Sequence, residues 1–444
     1  MSFRTGMASP GETSSEDDAG MDETGTDETG TDDAGPQAPP PDQPQEPLPA
    51  RFRAMLADGR LGTRSIRLGA LAVVLALAVV VVLVVAGAFK PATSLIAPGP
   101  LPTTFPVPAF ATPAVSGEKL SLPATIDATG SADASPGLLA FIASVPDGST
   151  IVFAAGGTYR LNHGLAITNR HNLVFEGNGA TLRSYGSGSV VTDSPFSLDD
   201  GDSGITIRDF SLVGSNPDSG AAIYHSGAEN QMGIATYGAS NVEIANVSIS
   251  HSWGDCLYIA GPRNGSDAIW SDTIWFHDST CSQAGRDGVA IVAGSHVTIE
   301  NDHFDTLGMH VLDIEPDTAK GGGTYVTFRT NTVGIYGLGS VYTGYFFAAD
   351  GAVGSIVHDV TVTGNTVAGN PHDGYDGSIR GLSTTVEVSR RGNIIFTNNS
   401  SGQTIGGPVL LFAHVDGLTV SGNSEPLSRG SLTSISDSTS VHSQ

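Results

Sequence analysis

Four carboxylates and a histidine fall in or beside a repeated phrase: Asp255, Asp287 and His310 at matching points of its copies, Asp313 and Glu315 at the end of the third. Paired carboxyl groups divide the work of acid and base. Glycosidic bonds are cleaved by such pairs, set about 6.5–9.5 Å apart for inversion and about 5–5.5 Å for retention. Crowded carboxylates also raise one another's pKa, which suits a general acid. The same residues have a plainer use: Asp255 and Asp287 accept backbone N–H bonds where a strand begins, and His310 caps or packs. Trp253, Tyr258 and Arg286 stand beside them as candidate substrate contacts, and Trp270 and Trp275 serve either as sugar platforms or as core.

The elements that must position these residues follow from the phrase. VEIANVSISHSWGDCLYI (242–259), IWFHDSTCSQAGRDGVAI (274–291) and VTIENDHFDTLGMHVLDI (297–314) share a run of alternating apolar residues, a polar turn and a second short run. Alternation is the period of a half-buried strand. Superposed, the copies align Leu257, Val289 and Leu312, then Ile259, Ile291 and Ile314, with Asp255, Asp287 and His310 two residues earlier. Tyr258, Ala290 and Asp313 have outward parity, and Glu315 follows Asp313 on that side. Weaker copies begin at Leu173, Ile205, Val326, Val360, Ile394 and Leu418, a spacing of 23 to 37 residues throughout. Such a period belongs to a solenoid or a propeller. The sixth position holds Asn178, Asp302, Asn331, Asn365, Asn399 and Asn423. Asn and Asp tolerate left-handed backbone at a tight turn, and stacked Asn side chains bond along a ladder. One such turn per coil predicts a parallel β-helix, an all-β fold, over residues 125–425.

The flanks read differently. Residues 1–50 carry twelve acids and one basic residue, Arg4, and predict a disordered acidic tail. Residues 51–68 are a basic juxtamembrane segment with Arg51, Arg53, Arg60, Arg64 and Arg67. Residues 69–89 are 21 uncharged residues, enough for one transmembrane helix, and the arginines put the N-terminus in the cytoplasm and the C-terminal domain outside the cell membrane. Ala86-Gly87-Ala88 also fits a signal-peptide cleavage site. Residues 90–124 are a Pro-rich extracytoplasmic linker. Asp133 and Pro136 open a short helix with an apolar face, placed to cap the β-helix. Residues 426–444 read as a Ser-rich flexible tail. From residue 125 onward 31 acidic residues face 12 basic ones, which excludes nucleic acid as a partner. No metal-ligand spacing or phosphate loop stands out, so neither metal nor cofactor is expected.

Cys256 and Cys281, the only two cysteines, fall on adjacent coils; they form a disulfide or stay as two buried thiols. The domain resembles the pectin-lyase-like superfamily of right-handed parallel β-helices, through DATGSADASPGLLAFIASVPDGSTIVFAAGGTYRL at its start. The central stretch is similar to polygalacturonase-type glycoside hydrolases. Their N-T-D-G, G-D-D-C, C…G-H-G and R-I-K motifs are matched by Asn230-Gln231-Met232-Gly233, Trp253-Gly254-Asp255-Cys256, Cys281 with Gly285-Arg286-Asp287-Gly288, and Asp313-Ile314-Glu315. The family's motif cysteines are bridged, which supports a Cys256–Cys281 bond. Of its catalytic aspartates only Asp255 is kept, so polygalacturonase activity is not expected. Asn370-Pro371-His372-Asp373 is similar to the D-P-H-D motif of alginate C5-epimerases, or is a turn.

The expectation is a membrane-anchored extracytoplasmic β-helix acting on a polysaccharide, by glycoside hydrolysis through a carboxylate pair. A non-catalytic glycan-binding or structural β-helix is the alternative, followed by a polysaccharide epimerase or lyase.

Overall fold

The computed structural model describes residues 110, 117–190, 193–199, 201–218, 225–263, 269–338, 344–368, 381–402, 410–424, 433–439 and 442–443. The acidic tail, the basic segment, the membrane segment, most of the linker and the 370–373 string lie outside them. Among the described residues no helix is long and apolar enough to cross a membrane.

Every strand pairing among the described residues is parallel, and each central coil contributes three strands. The first face stacks Ser240–Ala245, Ser271–His277, Ala293–Glu300, Gly322–Arg329, Ile356–Thr363, Arg391–Thr397 and Val415–Ser421. The second stacks short strands such as Ser248–Ser250, Thr280–Ala284 and His303–Leu307. The third stacks Ile234–Tyr237, Leu257–Ala260, Val289–Ile291, Leu312–Ile314 and Phe347–Ala348. The register pairs Leu257 with Val289 and Val289 with Leu312, as the superposed phrases require. The chain is therefore a parallel β-helix.

Inward positions form one continuous apolar core. Phe304, Phe328, Phe346, Phe396 and Phe412 run along it, successive ring centroids 5.6, 6.0, 6.1 and 5.8 Å apart. That is the distance at which aromatic pairs add to plain burial.

The sixth-position ladder forms, with one correction. Asn331, Asn365 and Asn399 donate their backbone N–H to the Oδ1 of the residue one coil on, at 2.9, 3.1 and 3.0 Å. Their Nδ2 groups donate to carbonyls of the preceding coil. From Asp278 onward the left-handed backbone belongs to the residue before the ladder: Asp278, Asn301, Thr330, Gly364, Asn398 and Gly422. The ladder residue must point inward to meet its neighbours, so the corner itself is turned by the residue outside it. A second left-handed corner precedes the phrase in each of its nine copies, from Asn172 to Gly417, with φ between 49° and 82°.

Helix Ser135–Ser144 carries Pro136 in its first turn and buries Leu138 and Ile142 against the core. Its first turn is held by Asp133, whose Oδ1 accepts the Ser135 N–H at 3.0 Å, while the residue at the N-cap, Ala134, makes no side-chain bond. At the other end Thr433–Ser436 pairs with Leu410–Ala413 and His442–Ser443 with Thr419 and Val420. Coil stacking thus continues past residue 425, into the stretch whose serines read as a flexible tail. Alternation brings Ile435 against the core, and two-residue periodicity outweighs composition.

Candidate functional site

Asp255, Asp287 and His310 sit one above another where each coil enters the third face. Asp255 Oδ1 accepts the Asp287 N–H at 3.0 Å, and Asp287 Oδ1 accepts the His310 N–H at 2.6 Å. Both aspartates are fully buried. Each is a strand cap, as a short acceptor in this position allows. The second oxygens have no hydrogen-bond partner among the described residues. They face Arg286, whose Nη1 is 3.8 Å from Asp255 Oδ2 and whose Nη2 is 3.7 Å from Asp287 Oδ2. Arg286 Nη2 also donates to both oxygens of Glu315, at 2.9 and 3.2 Å, and its Nε lies 3.7 Å from Glu229.

The guanidinium is thus ringed by four carboxylates. Burial alone pulls its pKa down, and Asp255, Asp287, Glu315 and Glu229 together more than reverse this, so it stays charged. Burial lifts Asp255, against the pull of Arg286. Asp287 is pushed well above the ordinary range by burial and then by Asp255. Cys256, directly after Asp255, is bridged to Cys281, with Cα atoms 5.9 Å apart.

Asp313 and Glu315 occupy the outward side of the third face. Asp313 pairs in register with Ala290, and Glu315 N–H donates to Ile291 O at 3.0 Å, so the strand alignment continues through both. They open onto a groove of about 610 Å³, which His310, Asp317, Tyr345 and Asp350 also line. Burial, then Glu315, pushes Asp313 well above the usual carboxylate range. Glu315 is raised to about 7 by burial, against the pull of Arg286.

His310 has a fixed tautomer. Its Nδ1 accepts the Tyr345 N–H at 2.9 Å and its ring stacks on Tyr345 at 5.6 Å. The neutral ring therefore carries its proton on Nε2, which lies 3.6 Å from Asp313 Oδ2. His310 faces Asp313 as a donor. Two groupings, Asp287/His310/Asp313 and Asp255/Asp287/Glu315, bring possible ligand atoms within 4.8 Å of one another. Arg286 already contacts all three carboxylates of the second. In the first, the Nε2 proton removes the lone pair a metal would need, so neither donor set fits an ion.

The far wall of the groove depends on a residue the repeats do not reveal. Arg391, fully buried, donates to Ala349 O, Asp350 O and Ser355 O, and so holds the chain carrying Asp350, Gly351 and Ala352. Asp350 accepts from Thr385 Oγ1 at 3.0 Å and from the Glu387 and Val388 N–H groups at 2.9 and 3.0 Å.

The aromatics are dispersed. Tyr258 is half-buried against Tyr237, ring centroids 5.8 Å apart. Trp253 meets His225 edge-on at 5.0 Å and donates Nε1–H to Ser215 Oγ. Trp270 donates to Lys320 O and Trp275 to Glu300 Oε1, so both lie outside the core. Glu229 was missed from sequence because it sits on a loop between strands, without a place in the repeat.

No family model and no curated protein matches the sequence. Solved structures do. An alginate lyase from Paenibacillus sp. str. FPU-7 is 13% identical over 73% of this chain and 99% of its own, with a TM-score of 0.47. An exopolygalacturonase from Thermotoga maritima is 10% identical over 76% and 94%, with a TM-score of 0.42. The surface protein and adhesin PfbA of Streptococcus pneumoniae is 12% identical over 73% and 99%, with a TM-score of 0.40. Identities of this order assign neither substrate nor reaction to this chain. The parallel β-helix rests on this chain's own strand pairings.

Proposed function

We propose that the protein acts on a polysaccharide, hydrolysing a glycosidic bond with Asp313 as acid and Glu315 as base. One observation carries the reading: two carboxyl groups on one outward strand face line an open groove and have unlike partners, a histidine N–H and an arginine. Pairs whose environments push their protonation apart divide into acid and base. Two residues along a strand span about 6.7 Å from Cα to Cα, and side chains of like parity can hold their carboxyl groups at a separation of that order, as the roughly 6.5–9.5 Å between carboxyl groups of inverting enzymes requires. Asp313 gives its proton to the glycosidic oxygen as the C1–O bond breaks. Glu315 takes a proton from the water whose oxygen bonds to C1, and exchange with solvent resets both groups.

The test is incubation with a panel of polysaccharides, measuring new reducing ends and their initial anomeric configuration. Inverted product from at least one polymer is expected; retained configuration, or no cleavage of any polymer, overturns the assignment. Binding without turnover is the second reading, favoured by the two-pronged hold of Arg286 on Glu315. Residues 69–89 and the arginines before them support anchoring in the cell membrane with the β-helix outside. Protease added to intact cells then removes the β-helix and spares an epitope near Ser9; a protected β-helix contradicts the anchor.

A further inference from the structure

The described residues include nine arginines, and six of them have a carboxylate partner: Arg170, Arg208, Arg263, Arg286, Arg329 and Arg390. Arg391 is buried on backbone carbonyls. The two that remain, Arg160 and Arg183, have no ion pair among the described residues, and they stand side by side. Both lie on the second face, where Thr158–Leu161 pairs with the second half of Val174–Ser184 and sets Arg160 directly against Arg183. Tyr159, Leu161 and Leu182 enter the core, so alternation turns both arginines outward.

Like charges directly opposite on neighbouring strands are destabilising, so the pair is costly as it stands. Asp133 leads the same row, in register with Arg160, but its Oδ1 accepts the N–H groups of Ser135 and Asn162. Val213 follows Arg183. Neutral groups hold Arg160 instead. Its Nε donates to Asn162 Oδ1 at 3.0 Å, and its guanidinium lies 4.5 Å from the centre of the Tyr185 ring, which is 51% exposed. Arg183 is itself exposed. Burial, then Arg183, holds the His251 ring below its usual pKa, and His251 Nδ1 is buried with no hydrogen-bond partner among the described residues. Thr158, Thr181, Ser211 and Ser248 form the neighbouring outward row.

Guanidinium forks match the oxygens of a carboxylate or a sulfate two at a time. An exposed tyrosine ring beside a row of hydroxyls offers a sugar both an apolar surface and hydrogen-bonding groups. We propose that Arg160 and Arg183 form an oxyanion site that takes the carboxylate or sulfate groups of an acidic polysaccharide, on a face separate from the groove of Asp313 and Glu315. The net charge of −25 does not forbid this. At physiological salt, charges much farther away than about 8 Å are largely screened, and the anion meets the local pair. The site stands whether or not the groove hydrolyses anything.

The experiment measures binding by the full chain of oligogalacturonate, its methyl ester, inorganic sulfate and phosphatidylglycerol vesicles. The oligomer is expected to bind about tenfold or more tightly than its ester, because esterification removes the charged acceptors and keeps the ring. Arg183→Gln weakens oligomer binding about two- to fivefold, as an exposed ion pair allows. The double variant Arg160→Gln/Arg183→Gln abolishes the preference for oligomer over ester. Inorganic sulfate competes only at much higher concentration, since it has no ring to lay on Tyr185. Arg183→Gln keeps the thermal midpoint of the unaltered protein; a lowered midpoint assigns the arginine to the fold and overturns the proposal. Equal binding of oligomer and ester, no binding of either, or a preference that survives in the double variant overturns it as well. So does sulfate binding as tightly as the oligomer, which leaves a free-anion site, or capture by the vesicles in place of the oligomer, which leaves a membrane contact.

Discussion

Two corners of this β-helix use one device with different chemistry. In both, a side-chain oxygen accepts a backbone N–H from a neighbouring coil: Asn365 takes it from Asn331 on the preceding coil, and Asp287 takes it from His310 on the following one. At the asparagine corner the rest of the side chain is also satisfied, since Asn365 Nδ2 donates to Phe328 O and Asn399 Oδ1. The corner is neutral and closed. At the acid corner the second oxygens of Asp255 and Asp287 are left over and face Arg286. A cap made with a carboxylate carries a buried charge that needs a cation, and that cation then reaches Glu315 at the groove. The difference teaches how a scaffold contact becomes part of a site.

Arg286→Met is the strongest way to break the contrast. Removing one partner of a buried ionic cluster costs about 3–5 kcal/mol because it leaves the others uncompensated. A large fall in thermal midpoint is therefore expected, greatest at high pH, where the carboxylates are most ionised. A midpoint within a degree or two of the unaltered protein sinks the view that this guanidinium holds the corner.

Asp302 sharpens the comparison, because it is a carboxylate within the asparagine ladder. It accepts the Ser279 N–H at 2.8 Å, but where its neighbours have an amide donor its Oδ2 has no hydrogen-bond partner among the described residues. Burial raises its pKa to about 9, so near neutrality it keeps a proton and regains a donor. The unfolded carboxyl titrates near its ordinary value of about 3.9. Between the two values the folded state holds the extra proton, so this contribution to stability is complete below pH 4 and declines by about 1.4 kcal/mol per pH unit up to about 9. Asp302→Asn removes that slope. Unfolding curves at pH 5 and 8 test it, and an unchanged slope in the variant contradicts the protonated ladder.

Asp255→Asn, which keeps the capping oxygen, is the mildest change. By analogy with helix caps a loss of at most about 0.5–2 kcal/mol is expected, read from denaturant midpoints. A larger loss assigns Asp255 a role beyond capping and the pairing to Arg286.

The sequence made the fold legible because apolar alternation and coil period are local facts; Leu257, Val289 and Leu312 stack as their superposition requires. It also placed Asp255 above Asp287 and Asp313 on the outward side. It did not reveal which oxygen of Asp287 would cap and which would be left over, since rotamers are not periodic. Arg286 read as a substrate contact, whereas the coils on either side surround it with acids. Glu229 and Arg391 carried no signal, because the first lies on a loop and the second acts on a chain segment some forty residues earlier. From Asn331 onward the asparagines marked the ladder but not the corner, which lies one residue earlier.

The central claim is that Asp313 and Glu315 do the chemistry while Asp255 and Asp287 hold the frame. Turnover of Asp313→Asn, Glu315→Gln, Asp255→Asn and Asp287→Asn on one cleaved polysaccharide tests it directly. The first two are expected to lose about 10²–10⁴-fold in rate, the usual worth of a general acid or base, with thermal midpoints near that of the unaltered protein. The last two are expected to keep turnover within a fewfold and to lose stability. Full turnover in Asp313→Asn and Glu315→Gln, with its collapse in Asp255→Asn and Asp287→Asn, contradicts the account.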